Sequence, residues 1–388
     1  MPVTVTIDGR TFEPSPGVSL FACAELLGIR VPTSCHQDGR CKECLVEITE
    51  GAEFLSPPTH AERHLRGAYR LSCQCRVGAG DGRVRGHTMR RGRMRIERQA
   101  TALAARAVPS PPDAAVTRGG GSVLLDGQEI DRYRGALHGI ALDLGTSTVV
   151  LRLLDLATGE AVADTSFENP QRFAGSDVMA RIQYAAEHGP EPLVGAITAY
   201  ISRAITEFPV DPSTIYEVTV AGNSTMRDLF FRKDVGPIGR SPYRSITEAD
   251  VLEGRRATTA LVDTGRGCGL PINPDARVYG LPVISGHVGA DAAACLLATG
   301  LADGDRLAAV MDIGTNTEII AGSRRRLVAA SCPAGPAFEG GGVACGMPAL
   351  EGAAESVSIG GDGAFRLGVI GGGEAQGFCG SGLVDLLL

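Results

Sequence analysis

The 388-residue chain contains no tryptophan and only two lysines, Lys42 and Lys233. It therefore has neither the Gly-Lys-Ser/Thr phosphate loop nor the strand lysine of a protein kinase, which excludes two common routes to nucleotide chemistry. Aromatic residues make up 5% of the chain and the net charge is −7; with few stacking platforms and no overall basic field, no nucleic-acid partner is expected. The opening MPVTVTIDGR lacks the charged start and apolar core of a signal peptide, and no apolar run reaches the ~18 residues of a membrane span. A cytoplasmic protein without a membrane partner is the expectation. Glycine is plentiful at 52 residues, which suits tight turns and backbone cradles around ligands. The apolar share of 44% beside 21% charged describes folded domains, two or more at this length.

Eleven cysteines in a reducing compartment read as metal chemistry or buried thiols rather than a disulfide framework. Cys35, Cys41 and Cys44 stand in CHQDGRCKEC, with gaps of five and two, and Cys73 follows in RLSCQC. Three thiolates on one glycine-containing loop, with a fourth from a distant segment, suit a small iron–sulfur cluster. Zinc, the rival, more often uses two paired Cys-x-x-Cys knuckles. VTVTI, the DGR turn and TFEP predict a β-hairpin, and VSLFACAELLGI an amphipathic helix leading into the cysteine loop. With Gly39 before Cys41 and the Leu-Ser-Cys of the fourth thiol, residues 1 to 80 resemble a [2Fe–2S] ferredoxin domain of α+β, β-grasp type. That resemblance implies Cys35, Cys41, Cys44 and Cys73 as the metal ligands. Cys75 is then a spare thiol, Cys23 a packed small residue and His36 an exposed loop histidine. His60 and His64, four apart in AERHLR, are expected on an exposed helix.

Charge is segregated. Residues 76 to 106 carry nine arginines against Asp81 and Glu97. The alternation around Met94 and Ile96 predicts the last ferredoxin strand at 93 to 97, and AVPSPPDAAVTRGGGS has linker composition. The arginines are read either as a patch steering an acidic partner or donor, or as a solvated linker. The expected division is ferredoxin 1–97, linker 98–136 and a further domain 137–388.

In that further part, GIALDLGTSTVVLRLLD returns as LAAVMDIGTNTEIIAG, the hexapeptide at 143 to 148 matching that at 312 to 317. Two copies, each at a glycine turn between apolar strands, predict a duplicated α/β domain with a ligand between its halves; the bland alternative is a pair of ordinary hairpins. Backbone N–H groups near Gly145 and Gly314, with hydroxyls of Thr146, Ser147, Thr148, Thr315 and Thr317 and the Asn316 amide, suit a triphosphate. Asp143 and Asp312 would repel phosphate unless Mg²⁺ lay between.

These turns resemble phosphate-1 and phosphate-2 of the acetate and sugar kinase, heat-shock chaperone and actin superfamily. NPQRFAGSDVMARIQYA, VTVAGNSTM, PVISGHVGADAA, SCPAGPAFEGGGVACGMPALEGA and GFCGSGLVDLL narrow the likeness. Together with the ferredoxin segment they resemble the ATP-dependent reductive activators of corrinoid proteins, which join a [2Fe–2S] domain to an actin-like, ribonuclease H-like ATPase. The resemblance implies a one-electron activator that returns a Co(II) corrinoid protein of a methyltransferase system to Co(I). It implies ATP, Mg²⁺ and a low-potential electron donor, with Asp143 and Asp312 as the catalytic pair. A middle domain is expected to be missing or reduced. The chain is expected to be truncated before the family's adenosine segment and hence to bind nucleotide weakly. The alternatives are a nucleotide-independent carrier with an actin-like docking domain and a small-molecule kinase.

Weaker candidates remain. Gly222 and Asn223 end a strand, with Ser224 and Thr225 capping a helix or facing phosphate; Asp291 is read as a metal-side carboxylate or an N-cap. Glu339 lies in a cleft or a loop. Cys268, Cys295, Cys332, Cys345 and Cys379 read as scattered thiols.

Overall fold

The computed structural model describes residues 2–33, 35–89, 114–335, 337 and 343–387. The chain divides into two compact units, Met1–Gly92 with Phe167–Glu207, and Arg93–Ser166 with Phe208–Leu388.

In the first unit, β1 (Thr4–Ile7) and β2 (Arg10–Phe12) form the expected hairpin. Asp8 and Gly9 both take left-handed φ, as a tight two-residue hairpin turn demands. β3 (Leu45–Glu50), β4 (Tyr69–Leu71) and β5 (Arg83–Thr88) complete a five-stranded sheet of order β2-β1-β5-β3-β4, with β1 and β5 parallel. Helix α1 (Leu20–Leu26) is capped by Ser19, whose Oγ accepts from the Ala22 amide at 3.2 Å. It buries Leu20, Phe21, Cys23 and Ala24, so Cys23 is the packed small residue expected. Among the described residues the fifth strand is Arg83–Thr88, where Val84, Gly86 and Thr88 face inward while Arg83 and Arg85 stay exposed; the strand expected at 93–97 lies outside the described residues.

The exposed helix expected around His60 and His64 is not found. Thr59 and Glu62 form a capping box around a single 3-10 turn, His60–Glu62, because the Thr-x-x-Glu pattern satisfies backbone donors at both ends of that turn. Glu62 is 3% exposed. It accepts from Thr59 N at 2.7 Å, Arg70 Nε at 2.8 Å and Leu71 N at 3.0 Å. It thus ties this turn to the strand that precedes Cys73. Glu62→Ala leaves Arg70 buried without its carboxylate and is expected to cost about 3–5 kcal/mol, read as a lower denaturation midpoint of the cluster-free protein.

The same unit contains α2 (Val178–His188) and α3 (Glu191–Thr206), joined through Gly189 and Pro190. α3 buries Leu193, Val194, Ile197, Tyr200, Ile201, Ala204 and Ile205, the 3.6-residue stripe of an amphipathic helix. An aromatic ladder ties the ferredoxin fold to this pair: His64 meets Phe173 edge-on at 5.6 Å, Phe173 meets Tyr184 at 5.6 Å, and the Arg66 guanidinium lies 5.0 Å above the Tyr184 ring. Residues 167–207, expected to belong wholly to the second domain, therefore pack with the first.

The second unit opens with a three-stranded meander, β6 (Val116–Gly119), β7 (Ser122–Leu125) and β8 (Gln128–Arg132). This corrects the linker expected over 98–136 in its latter part. Val116, Val123, Leu137 and Tyr216 form a core there, an apolar pattern hidden in the sequence by the intervening glycines. The main sheet comprises β9 (His138–Leu144), β10 (Thr148–Asp155), β11 (Ala161–Glu168), β12 (Ile215–Ala221), β13 (Leu261–Thr264) and β14 (Arg277–Gly280), ordered β11-β10-β9-β12-β14-β13. β9 is antiparallel to β10 and parallel to β12, which is parallel to β14. With the antiparallel edge β13 set aside, the order is that of the ribonuclease H-like fold. Helices α4 (Ser224–Phe230), α5 (Ile246–Leu252), α6 (Gly265–Cys268) and α7 (Ala290–Thr299) follow. The antiparallel pair β15 (Ala308–Ile313) and β16 (Asn316–Ser323) repeats the β9–β10 hairpin, with β17 (Arg326–Pro333) beside it. β18 (Ala353–Ile359), β19 (Phe365–Val369), β20 (Gly377–Phe378) and α8 (Gly380–Leu387) close the unit.

Candidate functional site

The loop from Cys35 to Cys44 has four residues in left-handed backbone, His36 (φ 52°), Gln37 (68°), Gly39 (78°) and Lys42 (63°). Three of these are not glycine, an unusual concentration of costly conformations that points to function. These left-handed residues bend the chain sharply between the three cysteines of the loop. Gly39 is required twice over: its φ is positive, and a Cβ there would lie 3.0 Å from Ala61 Cβ and from the Gln74 side chain. Gln74 Nε2 donates to the Gln37 carbonyl at 3.1 Å and lies 3.5 Å from Cys73 Sγ, joining loop and fourth thiol. Lys42 Nζ donates to Ala61 O at 2.6 Å.

The four expected thiols fall into two pairs. Cys44 Sγ lies 3.3 Å from Cys73 Sγ, and Cys35 is hydrogen-bonded to Cys41. The hydrogen bond donated by Cys44 lowers Cys73 below the ordinary thiol range and, with burial, pushes Cys44 above it. Among the described residues no three His, Cys, Asp or Glu meet around a single point; two pairs suit a two-iron cluster, one pair to each iron. Cys75 is fully buried and pushed up to about 12 by burial, consistent with a spare core thiol. His36 is exposed, as expected.

In the second unit the two glycine turns touch. Ser147 Oγ and Thr315 Oγ1 are 3.1 Å apart, and Asn223 Nδ2 donates to Thr146 Oγ1 at 2.8 Å. A Cβ on Gly145 would meet the Thr148 carbonyl oxygen at 2.4 Å, so only glycine closes this turn without displacement. The Gly314 amide donates to Asn316 O at 3.1 Å. Thr148, Asn316 and Thr317 are half-buried at the starts of β10 and β16. Asn223 caps α4, accepting from Met226 N at 3.0 Å, rather than Ser224 or Thr225; Ser224 Oγ donates instead to Ser285 O.

Around these turns stands a group of acids. Asp143 is pushed up to about 7 by burial and by the charges of Asp291 and Asp312. Asp143 is exposed to solvent although protein surrounds it closely, and this crowding and the neighbouring charges act in the same upward direction. Burial and Asp312 raise Asp291 to about 6, and burial raises Asp312. Asp291 lies in the first turn of α7, whose N-cap is Gly289, so it is not the cap residue. A fourth acid, Glu318, is 3% exposed and reaches about 7 through burial and the fields of Asp291 and Asp312. Glu318 stands opposite Asp312 in the β15–β16 register. Like charges so placed repel, and a hard cation with oxygen ligands relieves them. Sequence comparison of the repeats missed Glu318 because the first copy has no acid at the matching place, Val149; the Thr-Glu ending of the second copy was the available signal. Cys295, read as a scattered thiol, lies 3.7 Å from Asp312 Oδ2. Cys268 and Cys379 are buried and Cys332 and Cys345 exposed, while Glu339 lies outside the described residues.

Comparison with known proteins agrees with this division of labour. Residues 3–78 match the 2Fe-2S iron-sulfur cluster binding domain, 138–304 the RACo middle region, and 306–388 the C-terminal domain of RACo, the ASKHA domain. The middle region expected to be missing or reduced is thus matched over residues 138–304. The corrinoid activation enzyme RamQ of Eubacterium limosum is 38% identical over 65% of this chain and 41% of its own. The [Co(II) methylated amine-specific corrinoid protein] reductase of Methanosarcina barkeri is 30% identical over 56% of this chain and 40% of its own. The chain spans about two fifths of the length of these relatives. A solved reductive activator for corrinoid, iron-sulfur protein superposes with a TM-score of 0.61 at 25% identity, over 99% of this chain and 72% of that one. No helix among the described residues is long and apolar enough to cross a membrane. With a ferredoxin domain followed in order by both RACo regions, the chain belongs to the RACo family of 2Fe-2S proteins with an ASKHA domain.

Proposed function

We propose that the chain acts in an ATP-dependent reductive activator that returns a Co(II) corrinoid protein of a methyltransferase system to Co(I). The observation that carries this reading is the presence, in one chain, of two thiol pairs on a left-handed loop and a neighbouring strand end, and of two touching glycine turns beside Asp143, Asp291, Asp312 and Glu318, whose charges act on one another. Cys35, Cys41, Cys44 and Cys73 would hold the cluster. When bound, a [2Fe–2S] cluster supplies one-electron transfer, at about −400 mV for plant-type centres. A low-potential donor would load it, and a more negative acceptor makes delivery uphill by ~1.4 kcal/mol for every 59 mV.

ATP can bias that step only by binding two conformations unequally. Backbone N–H groups beside Gly145 and Gly314, with the Thr146, Ser147 and Thr315 hydroxyls, would orient the phosphates. Asp143 and Asp312, assisted by Asp291 and Glu318, would hold Mg²⁺, usually through water. Phosphate and cation therefore bind where the two halves of the duplication meet, so a change between ATP and ADP acts on both turns at once.

The test is product analysis. ATP turnover should give ADP and inorganic phosphate and should rise when a Co(II) corrinoid protein is added with reductant. Transfer of the phosphoryl group to a small molecule would favour a kinase instead.

A further inference from the structure

Residues 167–207 belong by sequence to the RACo middle region, yet they pack with the ferredoxin fold. One contact reaches the ligand loop itself. Tyr200 on α3 is 2% exposed, its ring 5.6 Å from that of Phe167, and its hydroxyl donates to the Glu43 carbonyl at 2.9 Å. The same carbonyl accepts from Leu45 N at 2.9 Å, closing a tight turn whose central residue is Cys44. Cys44 O in turn accepts from Ser72 N at 2.8 Å, and its thiol meets Cys73. A buried tyrosine must place its hydroxyl somewhere, so the bond alone could be simple satisfaction. Its partner decides otherwise: Glu43 O already has a donor within the loop, and of two carbonyls reached by tyrosines of this helix pair it is the one adjoining a thiol. The other, His64 O, receives the Tyr184 hydroxyl at 2.7 Å and belongs to a peptide that adjoins no cysteine.

We propose that Tyr200 is a positioning residue for Cys44, and that the body carrying the cluster is the ferredoxin domain together with residues 167–207. The assignment rests on the reading of Cys44 as a cluster ligand. In a trans peptide the C=O and N–H point to opposite sides, so holding the Glu43 carbonyl also sets the direction of the Cys44 N–H. Hydrogen bonding and solvent exposure around the ligands tune the potential and signature of such a cluster. A segment of the middle region thereby acts on the electron-carrying group without touching a sulfur.

Tyr200→Phe and Tyr184→Phe, each in the whole chain and reconstituted with iron and sulfide, separate this role from plain docking. Tyr200→Phe is expected to keep the wild-type iron content, shift the electron paramagnetic resonance signal and midpoint potential, and lose iron to a chelator several-fold faster. Tyr184→Phe is expected to keep signal and potential. In the cluster-free protein, the peptide spanning Glu43 to Ile48 should exchange amide hydrogen roughly fivefold faster in Tyr200→Phe, the worth of one hydrogen bond near 1 kcal/mol. A wild-type signal, potential and exchange rate in Tyr200→Phe overturns the proposal, as does an equal shift in both variants. Absence of a [2Fe–2S] signal from the wild type would instead remove the cluster reading, while the exchange measurement would still report on the clamp.

Discussion

Serine in place of Cys44 or Cys73 is expected to abolish the [2Fe–2S] spectrum and most of the bound iron, whereas Cys75→Ser leaves both at wild-type levels. Cys44 and Cys73 face each other at 3.3 Å, and the Cys44 hydrogen bond favours the Cys73 thiolate. A thiolate near neutral pH is the ligand form, and replacement by a hydroxyl removes the soft donor that iron–sulfur chemistry needs. Cys75, only two residues from Cys73, follows a turn in which its amide bonds back to Leu71 O at 3.0 Å. Its thiol is buried and pushed up to about 12, so serine there costs packing and not metal. Iron content and visible absorption of the purified variants distinguish the cases. Retained cluster in Cys73→Ser with loss in Cys75→Ser would reverse the ligand assignment.

Asp143→Asn is expected to abolish Mg·ATP binding while raising thermal stability above neutral pH. The folded-state value near 7 lies above the ordinary 3.8. Below pH 3.8 the carboxyl is protonated in both folded and unfolded chains and contributes nothing. As pH rises toward 7 the folded chain retains a proton that the unfolded chain has released, so stability falls, and the full loss persists above about pH 7. An amide cannot ionise and escapes this cost. The variant's melting temperature should therefore exceed that of the wild type at pH 8, by a margin that water around this exposed carboxyl keeps small, and match it at pH 4, the pattern of a site whose charge is kept for ligand and not for stability. Mg²⁺ with nucleotide should narrow the pH 8 gap by stabilising the wild type alone. Unchanged ATP affinity in both Asp143→Asn and Asp312→Asn would remove the acidic group from nucleotide binding.

The parts legible in sequence are those where chemistry restricts spacing. Cysteine gaps of five and two around Gly39 announced a tight loop, because its backbone needs a residue tolerant of both positive φ and close neighbours. The duplicated Asp-x-Gly-Thr turns announced two matching hairpins, and the structure brings Ser147 and Thr315 within hydrogen-bond distance. What escaped depended on pairing across the chain. Glu318 becomes notable only through its register opposite Asp312. Glu62 looked like part of an exposed helix until Arg70 and Leu71 closed around it. The packing of residues 167–207 with the ferredoxin fold was equally hidden, since α3's apolar stripe states that a face is buried but not against what. The meander at 116–132 was obscured by turn-rich composition that linkers share.

The central claim is the coupling of nucleotide to electron delivery, and it is most directly tested by following Co(I) absorbance anaerobically. The assay holds the protein with its cluster, a reductant, a Co(II) corrinoid protein and Mg²⁺, with or without ATP. The account predicts Co(I) formation that requires ATP, that is lost in Cys44→Ser despite continued ATP hydrolysis, and that is lost in Asp312→Asn although its cluster is still reduced. Co(I) appearing at the same rate and yield without nucleotide would contradict it and leave a simple electron carrier.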